Sequence, residues 1–135
     1  MTVKKTYDRL HKIGKEIRLL SSLSYLLEWD QETFMPKGAI EVRSEQLELI
    51  SSIIHKEKTS RRFKKALEAL LDLKTGKPRF DELNDEQKAN LREWHLDYLR
   101  EIKLPNDFVK KFAKTASKAI NTWVDAKNKD SFEIF

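Results

Sequence analysis

The histidines and glutamates of this sequence are the residues that could hold a metal ion and activate water. A helical site of that kind needs two histidines four residues apart on one face, with a glutamate beside the first. His11, His55 and His95 lie far apart, and none has a histidine or glutamate at the required offset. Convergence of the three in space is the alternative, but ordinary surface or edge positions are expected. The sequence predicts no catalytic residue, no metal ligand and no cofactor-binding residue.

Patterns for nucleophiles and phosphate loops are also missing from the sequence. Cysteine is absent, and no serine lies in a Gly-x-Ser-x-Gly turn. Gly14, Gly38 and Gly76 are scattered, so they form no glycine-rich phosphate loop. The lack of cysteine excludes disulfides and favours a reducing compartment, so we expect a cytoplasmic protein. The least polar stretch, 19–27, contains three serines and is shorter than the roughly 20 residues of a membrane span, so no membrane partner is expected.

The charge of the chain gives little indication of a partner. The formal net charge is +5, from 27 basic and 22 acidic residues mixed along the sequence. The densest basic cluster, Lys56 to Lys65, could bind a phosphate backbone or an acidic protein. Glu57 interrupts this cluster, and its one aromatic residue, Phe63, belongs to an apolar helix face. We therefore expect the basic side chains to lie in solvent at the beginning of a helix. The same interpretation applies to Lys110, Lys114 and Lys118. No nucleic-acid partner is expected.

Helices are the elements that must position these residues. Glycine and proline number three each, and charged residues make up 36% of the chain, which is typical of helix-rich proteins. Apolar residues recur at intervals of three and four. We therefore predict an all-α fold of about five helices in an antiparallel or irregular bundle, with a long first helix, in a single module spanning 1–135.

The bounds of the five helices follow from these intervals and from turn residues. The first runs from Val3 to about Glu32, and the second ends near His55. The last three are predicted from about Ser60 to Thr75, from the cap residue Asn84 to Ile102, and onward from Pro105, which is tolerated in a first helical turn.

Apolar residues nearly surround the second half of the first helix. Between 19 and 29 they leave little polar surface, so neighbours are expected on several sides. The tryptophans Trp29, Trp94 and Trp123 each fall in an apolar stripe, for which packing in the core is the default interpretation.

A run of specific residues lies at the turn after the first helix. Its members are Trp29, Asp30, Thr33, Met35, Pro36, Gly38, Ala39 and Arg43. The run closely resembles the signature Trp-Asp-x-x-Thr-x-Met-Pro-x-Gly-Ala, then Arg, of the carboxypeptidase Taq family. Later stretches resemble further patterns of that family in the same order, namely Leu104-Pro105, Trp123 to Ala126, and Phe132 with Phe135. Lys127 departs from the pattern, which has arginine there.

The resemblance implies a mostly helical zinc carboxypeptidase that removes single residues from the carboxyl ends of peptides. The zinc ligands, water-activating glutamate and carboxylate-binding arginine of the family all lie beyond Phe135, so zinc is expected only in a full-length member. The family pattern breaks off before an expected proline, which implies a chain truncated at its carboxyl end. The N-terminal helices of the family form a wall over the substrate groove. We therefore expect an inactive wall or lid, whose partners are a missing C-terminal catalytic portion and, in that context only, a peptide substrate.

The signature itself is interpreted as a structural corner. Trp29 is expected to anchor the end of the first helix, and Met35 to fill a gap. Pro36 and Gly38 are expected to turn the chain. Arg43 is predicted to reach back to Asp30 as a bidentate ion pair, and the alternative is that both charges are exposed.

Two other functions are alternatives on the sequence alone. One is a free-standing helical interaction module that binds an acidic partner through Lys56 to Lys65. The other, nucleic-acid binding, has only the net charge in its favour. A peptidase remnant is expected to expose large apolar patches and to form homo-oligomers, whereas an independent module is expected to be a monomer or closed dimer.

Overall fold

The computed structural model describes residues 2–135 and contains five α-helices over that range. They are α1 (Val3–Thr33), α2 (Ile40–Lys58), α3 (Arg61–Glu68), α4 (Asp85–Glu101) and α5 (Asn106–Asn128), with short 3₁₀ turns at Lys37–Ala39 and Phe132–Ile134. The 31 residues of α1 correspond to a length of about 46 Å. The predicted all-α fold with about five helices and a long first helix is confirmed.

The third helix is shorter than predicted. It ends at Glu68 rather than near Thr75, although Leu70 and Leu71 are buried as expected. The chain turns back here because Arg79 binds the end of the helix. Its backbone amide donates to the Leu70 carbonyl at 2.8 Å, and its Nε donates to the carbonyls of Glu68 at 2.9 Å and Leu71 at 3.1 Å. These bonds satisfy carbonyl groups that a longer helix would have used.

A tight turn follows between Asp72 and Gly76. The Asp72 carboxylate accepts hydrogen bonds from the amides of Thr75 at 2.9 Å and Lys74 at 2.8 Å, and these bonds lower the pKa of Asp72. Gly76 adopts a φ of 73°, in the left-handed region, and a Cβ at this position would lie 3.0 Å from the His95 ring. Both the backbone angle and the close ring therefore favour glycine here.

The beginnings of α4 and α5 differ in how they are capped. Asn84 accepts from the Gln87 amide at 2.8 Å, and the Gln87 side chain accepts from the Asn84 amide at 2.9 Å, so the predicted cap is confirmed as a capping box. Pro105 is the residue before α5 rather than part of its first turn, and it makes no side-chain cap.

Two compact units divide the described chain, and the first has a buried core. It comprises the residues up to Leu19 together with Ile54–Leu104. Its interior is built mainly from Tyr7, Leu10, Ile13, Ile17, Phe63, Leu67, Leu70, Leu71, Leu83, Leu91 and Tyr98. The Tyr7 hydroxyl accepts a hydrogen bond from the Asn90 amide at 2.8 Å, which satisfies the polar end of a buried ring.

The second unit, Leu20–Ile53 with Pro105–Phe135, buries much less apolar surface. Leu47 and Ala126 are the buried apolar side chains among its described residues. Most of the large exposed apolar side chains belong to this unit, namely Leu23, Tyr25, Leu26, Trp29, Phe34, Val42, Leu49, Ile53, Phe108, Phe112, Ile120, Trp123, Val124, Phe132, Ile134 and Phe135. Neighbours were expected on several sides of the second half of α1, and residues 2–135 leave part of that surface uncovered.

The division between the units falls inside α1 and inside α2. The single module predicted for 1–135 stays a prediction. No helix within residues 2–135 combines the length and apolar character that crossing a membrane requires.

Candidate functional site: the end of α1 and the clefts beside α5

The signature residues Asp30 and Arg43 form an ion pair that connects α1 to α2. The Arg43 Nη2 lies 2.6 Å from Asp30 Oδ2, and only 12% of the Arg43 side chain is exposed. The pair is not bidentate as predicted, because the guanidinium divides its donors among three acceptors. Nη1 donates to the Leu27 carbonyl at 2.6 Å and Nε to Gln46 Oε1 at 3.1 Å. Arg43 thereby satisfies a carbonyl near the end of α1 as well as a carboxylate.

The ion pair is expected to contribute about 0.5–1 kcal/mol to stability, because Arg43 is mostly buried while Asp30 is partly exposed. Asp30→Ala and Arg43→Ala, made singly and together, should show a coupling of that size in urea unfolding. The exposed pair Asp125 and Lys129, with oxygen and nitrogen 3.1 Å apart, is the matched control and should couple by less than about 0.3 kcal/mol. Strictly additive losses at Asp30 and Arg43 would contradict the assignment.

Hydrogen bonds close the end of α1. The Thr33 hydroxyl donates to the Trp29 carbonyl at 2.7 Å, and the Met35 amide donates to the Asp30 carbonyl at 2.9 Å. Pro36 then begins the 3₁₀ turn in an extended conformation. Gly38 lies in that turn without a positive φ, and a Cβ there would meet nothing within 4 Å. The turn predicted at this position is present, but it does not depend on glycine.

Two of the three tryptophans are exposed, contrary to the prediction of core packing. Trp29 is 57% exposed and packs edge to face on Phe34, so it does not anchor the helix end in a core. Trp123 is 51% exposed, with the Lys127 ammonium 5.3 Å from its ring centre. Trp94 is the one that packs against the core of the first unit. The apolar stripes containing Trp29 and Trp123 are real, but no described residue covers them.

Two clefts lie between the second half of α1 and α5, inside the second unit. The smaller has a volume of about 210 Å³, and we call it the α1–α5 cleft. Its lining includes Glu28, Gln31, Glu32, Leu47, Phe112 and Ile120. The larger, of about 830 Å³, is lined by Met35, Lys37, Trp123, Val124 and Ile134 among others. Gln31, Glu32 and Ile120 line both, so the two clefts adjoin.

A double hydrogen bond between two residues that line the α1–α5 cleft fixes α1 to α5. Gln31 Nε2 donates to the Ser117 carbonyl at 2.9 Å, and the Ser117 hydroxyl donates to Gln31 Oε1 at 2.8 Å. Ser117 is 3% exposed, so this bond is made away from water. Sequence reasoning missed both residues, because a glutamine and a serine 86 positions apart carry no spacing signal.

Lys110, Lys114 and Lys118 of α5 form ion pairs, whereas they were expected to lie in solvent. Lys110 and Lys114 lie 3.9 and 3.6 Å from the carboxylate of Glu48, and Lys118 lies 3.0 Å from Glu41. These contacts hold one side of α5 to α2, because both glutamates belong to that helix.

About half of the basic cluster at the start of α3 is engaged within the chain. Lys58 lies 3.6 Å from Asp97 and Lys64 lies 3.6 Å from Glu68. Arg62 binds Glu57 at 2.9 Å and Glu16 at 3.0 Å, and these hydrogen bonds raise its pKa further above neutrality. The cluster therefore presents fewer free charges to an acidic partner than its sequence suggests. The expectation that its side chains lie in solvent was also incomplete, because some of them bind carboxylates.

The three histidines do not converge. His55 and His95 are buried, which corrects their predicted surface or edge positions, and each imidazole has a polar partner. His55 Nδ1 lies 2.7 Å from a carboxylate oxygen of Glu101, and His95 Nε2 lies 2.8 Å from the Leu73 carbonyl. Exposed His11 packs beside Tyr7. Within residues 2–135 no group of three or more histidine, cysteine, aspartate or glutamate side chains could hold a metal ion, so these residues do not fit a catalytic zinc.

Comparison with known proteins gives one consistent result. Residues 9–135 match the family model described as carboxypeptidase Taq (M32) metallopeptidase. Thermostable carboxypeptidase 1 of Thermus thermophilus is 29% identical over 135 residues, which are 100% of this chain and 26% of that protein. Carboxypeptidase 1 of Bacillus subtilis is 31% identical over 131 residues, covering 96% of this chain and 25% of that protein.

A solved structure agrees with these sequence matches. The crystal structure of BsuCP superposes with a TM-score of 0.82 at 30% identity, over 98% of this chain and 24% of that chain. The chain thus spans about a quarter of the length of the curated relatives it matches.

Proposed function

Because this chain belongs to the carboxypeptidase Taq (M32) metallopeptidase family, we propose that it is the N-terminal helical part of a zinc carboxypeptidase that removes residues from the carboxyl ends of peptides. The family predicted from the sequence is thereby confirmed. In this proposal the helices form a wall or lid of the substrate groove and are not catalytic on their own. A C-terminal catalytic portion supplies the metal ligands, and the peptide substrate binds only in its presence.

The observation that carries the proposal is the exposed apolar surface of the second unit. On α5 the residues Phe108, Phe112, Ile120 and Trp123 follow one another at intervals of three, four or eight, so they share a face, and each is more than 40% exposed. Leu23 and Leu26 of α1 belong to the same unit, and each is more than half exposed. A contiguous apolar surface of this kind marks an interaction site.

The chemistry of the described residues supports a role as scaffold. The signature residues Asp30, Thr33 and Arg43 bind backbone groups or each other at the end of α1, and none of them belongs to a group that could hold a metal. They shape and fix the corner between α1 and α2. A rigid corner of this kind positions a wall without taking part in bond cleavage.

The setting of the protein is also part of the proposal. We propose a cytoplasmic location, and the absence of cysteine supports it. A chain without disulfides does not need an oxidising compartment in order to fold. Homo-oligomers of the isolated chain are expected because exposed apolar surface favours association.

Activity of the isolated chain tests its non-catalytic status. Incubated with peptides and with zinc or cobalt, the chain is expected to release carboxyl-terminal residues no faster than buffer containing the same metal, because residues 2–135 present no cluster of metal donors. Carboxypeptidase 1 of Bacillus subtilis, assayed in parallel, serves as the positive control. Saturable, metal-dependent release by the chain alone would overturn this part of the proposal.

A further inference from the structure

We infer that the α1–α5 cleft is the docking site of an amphipathic helix that carries two basic side chains one helical turn apart. The helix is contributed by the remaining length of the full family protein. This inference rests on the proposed function, and it adds the position of the contact and the chemistry of the partner.

The floor of the cleft is apolar once its internal hydrogen bonds are counted. Gln31 and Ser117 use their amide, hydroxyl and carbonyl groups on each other. Leu47 is buried beside them, while Phe112 is 66% exposed and Ile120 42% exposed. A partner therefore meets exposed aromatic and aliphatic side chains, with the Ser51 hydroxyl as the further polar group of the lining.

The rim of the cleft is acidic. Its charged lining residues are Glu28 and Glu32, four positions apart and therefore on the same side of α1. Neither forms an ion pair with a basic side chain among residues 2–135, whereas Asp30, Glu41 and Glu48 of the same unit each do. Two like charges at this spacing disfavour a helix slightly. A basic partner removes that repulsion, so the charge pattern specifies the partner's sign.

The geometry specifies a helix. Carboxylates one turn apart on α1 are matched best by basic residues one turn apart on a second helix. The exposed apolar residues of the cleft, Phe112 and Ile120, lie on α5 and face the two carboxylates of α1 across the groove. An amphipathic helix suits such a groove, because it offers an apolar face and charged side chains together. The relatives are about four times as long as this chain, so most of a full-length family protein is available to supply that helix.

A peptide scan tests the inference with the intact 135-residue chain. Overlapping labelled peptides of about 20 residues, long enough to form a helix, cover the part of Bacillus subtilis Carboxypeptidase 1 that this chain does not match. Binding is followed by fluorescence anisotropy for the wild-type chain, for Glu28→Gln/Glu32→Gln, and for the control Glu86→Gln/Glu93→Gln. The control removes two exposed glutamates of α4, neither of which lines the cleft.

The expected result is that a helical peptide with two basic residues one turn apart binds the wild-type chain. The cleft variant should then bind it about tenfold more weakly, and the control should bind it unchanged. The inference is overturned by binding of no peptide, by equal binding to both variants, or by self-association of the chain that the cleft variant abolishes. Peptidase activity is not measured in this experiment, so failure of the docking site and failure of the proposed function are distinguishable.

Discussion

Phe63→Ala is expected to lower the free energy of unfolding by about 3–5 kcal/mol. The Phe63 side chain is 1% exposed and its ring centre lies 6.4 Å from that of Tyr98, so truncation removes buried apolar surface and leaves a cavity in the core of the first unit. Urea unfolding followed by helical circular dichroism measures the loss.

Phe112→Ala is the matched control, because it removes the same side chain from α5, where it is 66% exposed. Its effect on the isolated chain should stay within about 0.5 kcal/mol. Similar losses for the two variants would contradict the assignment of a buried core to the first unit and of an uncovered surface to the second.

Gly14→Ala is expected to destabilise the chain by up to about 2 kcal/mol, although alanine favours a helix over glycine by about 1 kcal/mol. The added Cβ would lie 2.7 Å from Trp94 Cζ2 and 2.8 Å from Cε2, well inside van der Waals contact. Overpacking of this kind costs about 1–3 kcal/mol, and the rigid ring has to move. Thermal and urea unfolding of the variant determine the sign.

Two further variants separate the contact with Trp94 from the helix effect. Gly38→Ala places a Cβ where nothing lies within 4 Å and should be neutral or slightly stabilising. In a Trp94→Leu background, Gly14→Ala should become stabilising, because the ring that it meets has been removed. A loss of the same size in both backgrounds would show that the ring is not the cause.

The helices could be predicted largely because their signals are local. Periodic apolar residues located α1 and α2, and Asn84 marked the beginning of α4 because its capping partner Gln87 is three residues away. The end of α3 was misplaced because it depends on Arg79, which binds carbonyls 8 to 11 residues earlier in the chain. A contact of that range leaves no mark in the local apolar pattern.

The burial of apolar residues was harder to predict than their spacing. The apolar stripes of Trp29 and Trp123 were identified, but periodicity shows which face of a helix is apolar and not which element covers it. The core of the first unit is covered by its own helices, whereas the apolar face of the second is not covered by residues 2–135. The same pattern therefore led to a correct prediction for Trp94 and wrong ones for the other two tryptophans.

The candidate site was partly predictable for the same reasons. Asp30 and Arg43 belong to one short signature, so their pairing could be inferred, but the division of the guanidinium among three acceptors depends on the three-dimensional position of Leu27 and Gln46. The bond between Gln31 and Ser117 joins distant segments and could not be inferred. Glu28 and Glu32 carry no signal in the sequence that links them to the apolar residues of α5 with which they line the cleft.

Complementation of peptide cleavage tests the central claim most directly. A variant of Bacillus subtilis Carboxypeptidase 1 that lacks the quarter matched by this chain is assayed alone and fused to this chain, with release of carboxyl-terminal residues as the readout. We expect the shortened enzyme and the isolated chain to be inactive and the fusion to cleave peptides in a metal-dependent way. A folded fusion that is no more active than the shortened enzyme, or cleavage by the isolated chain, would contradict the proposal.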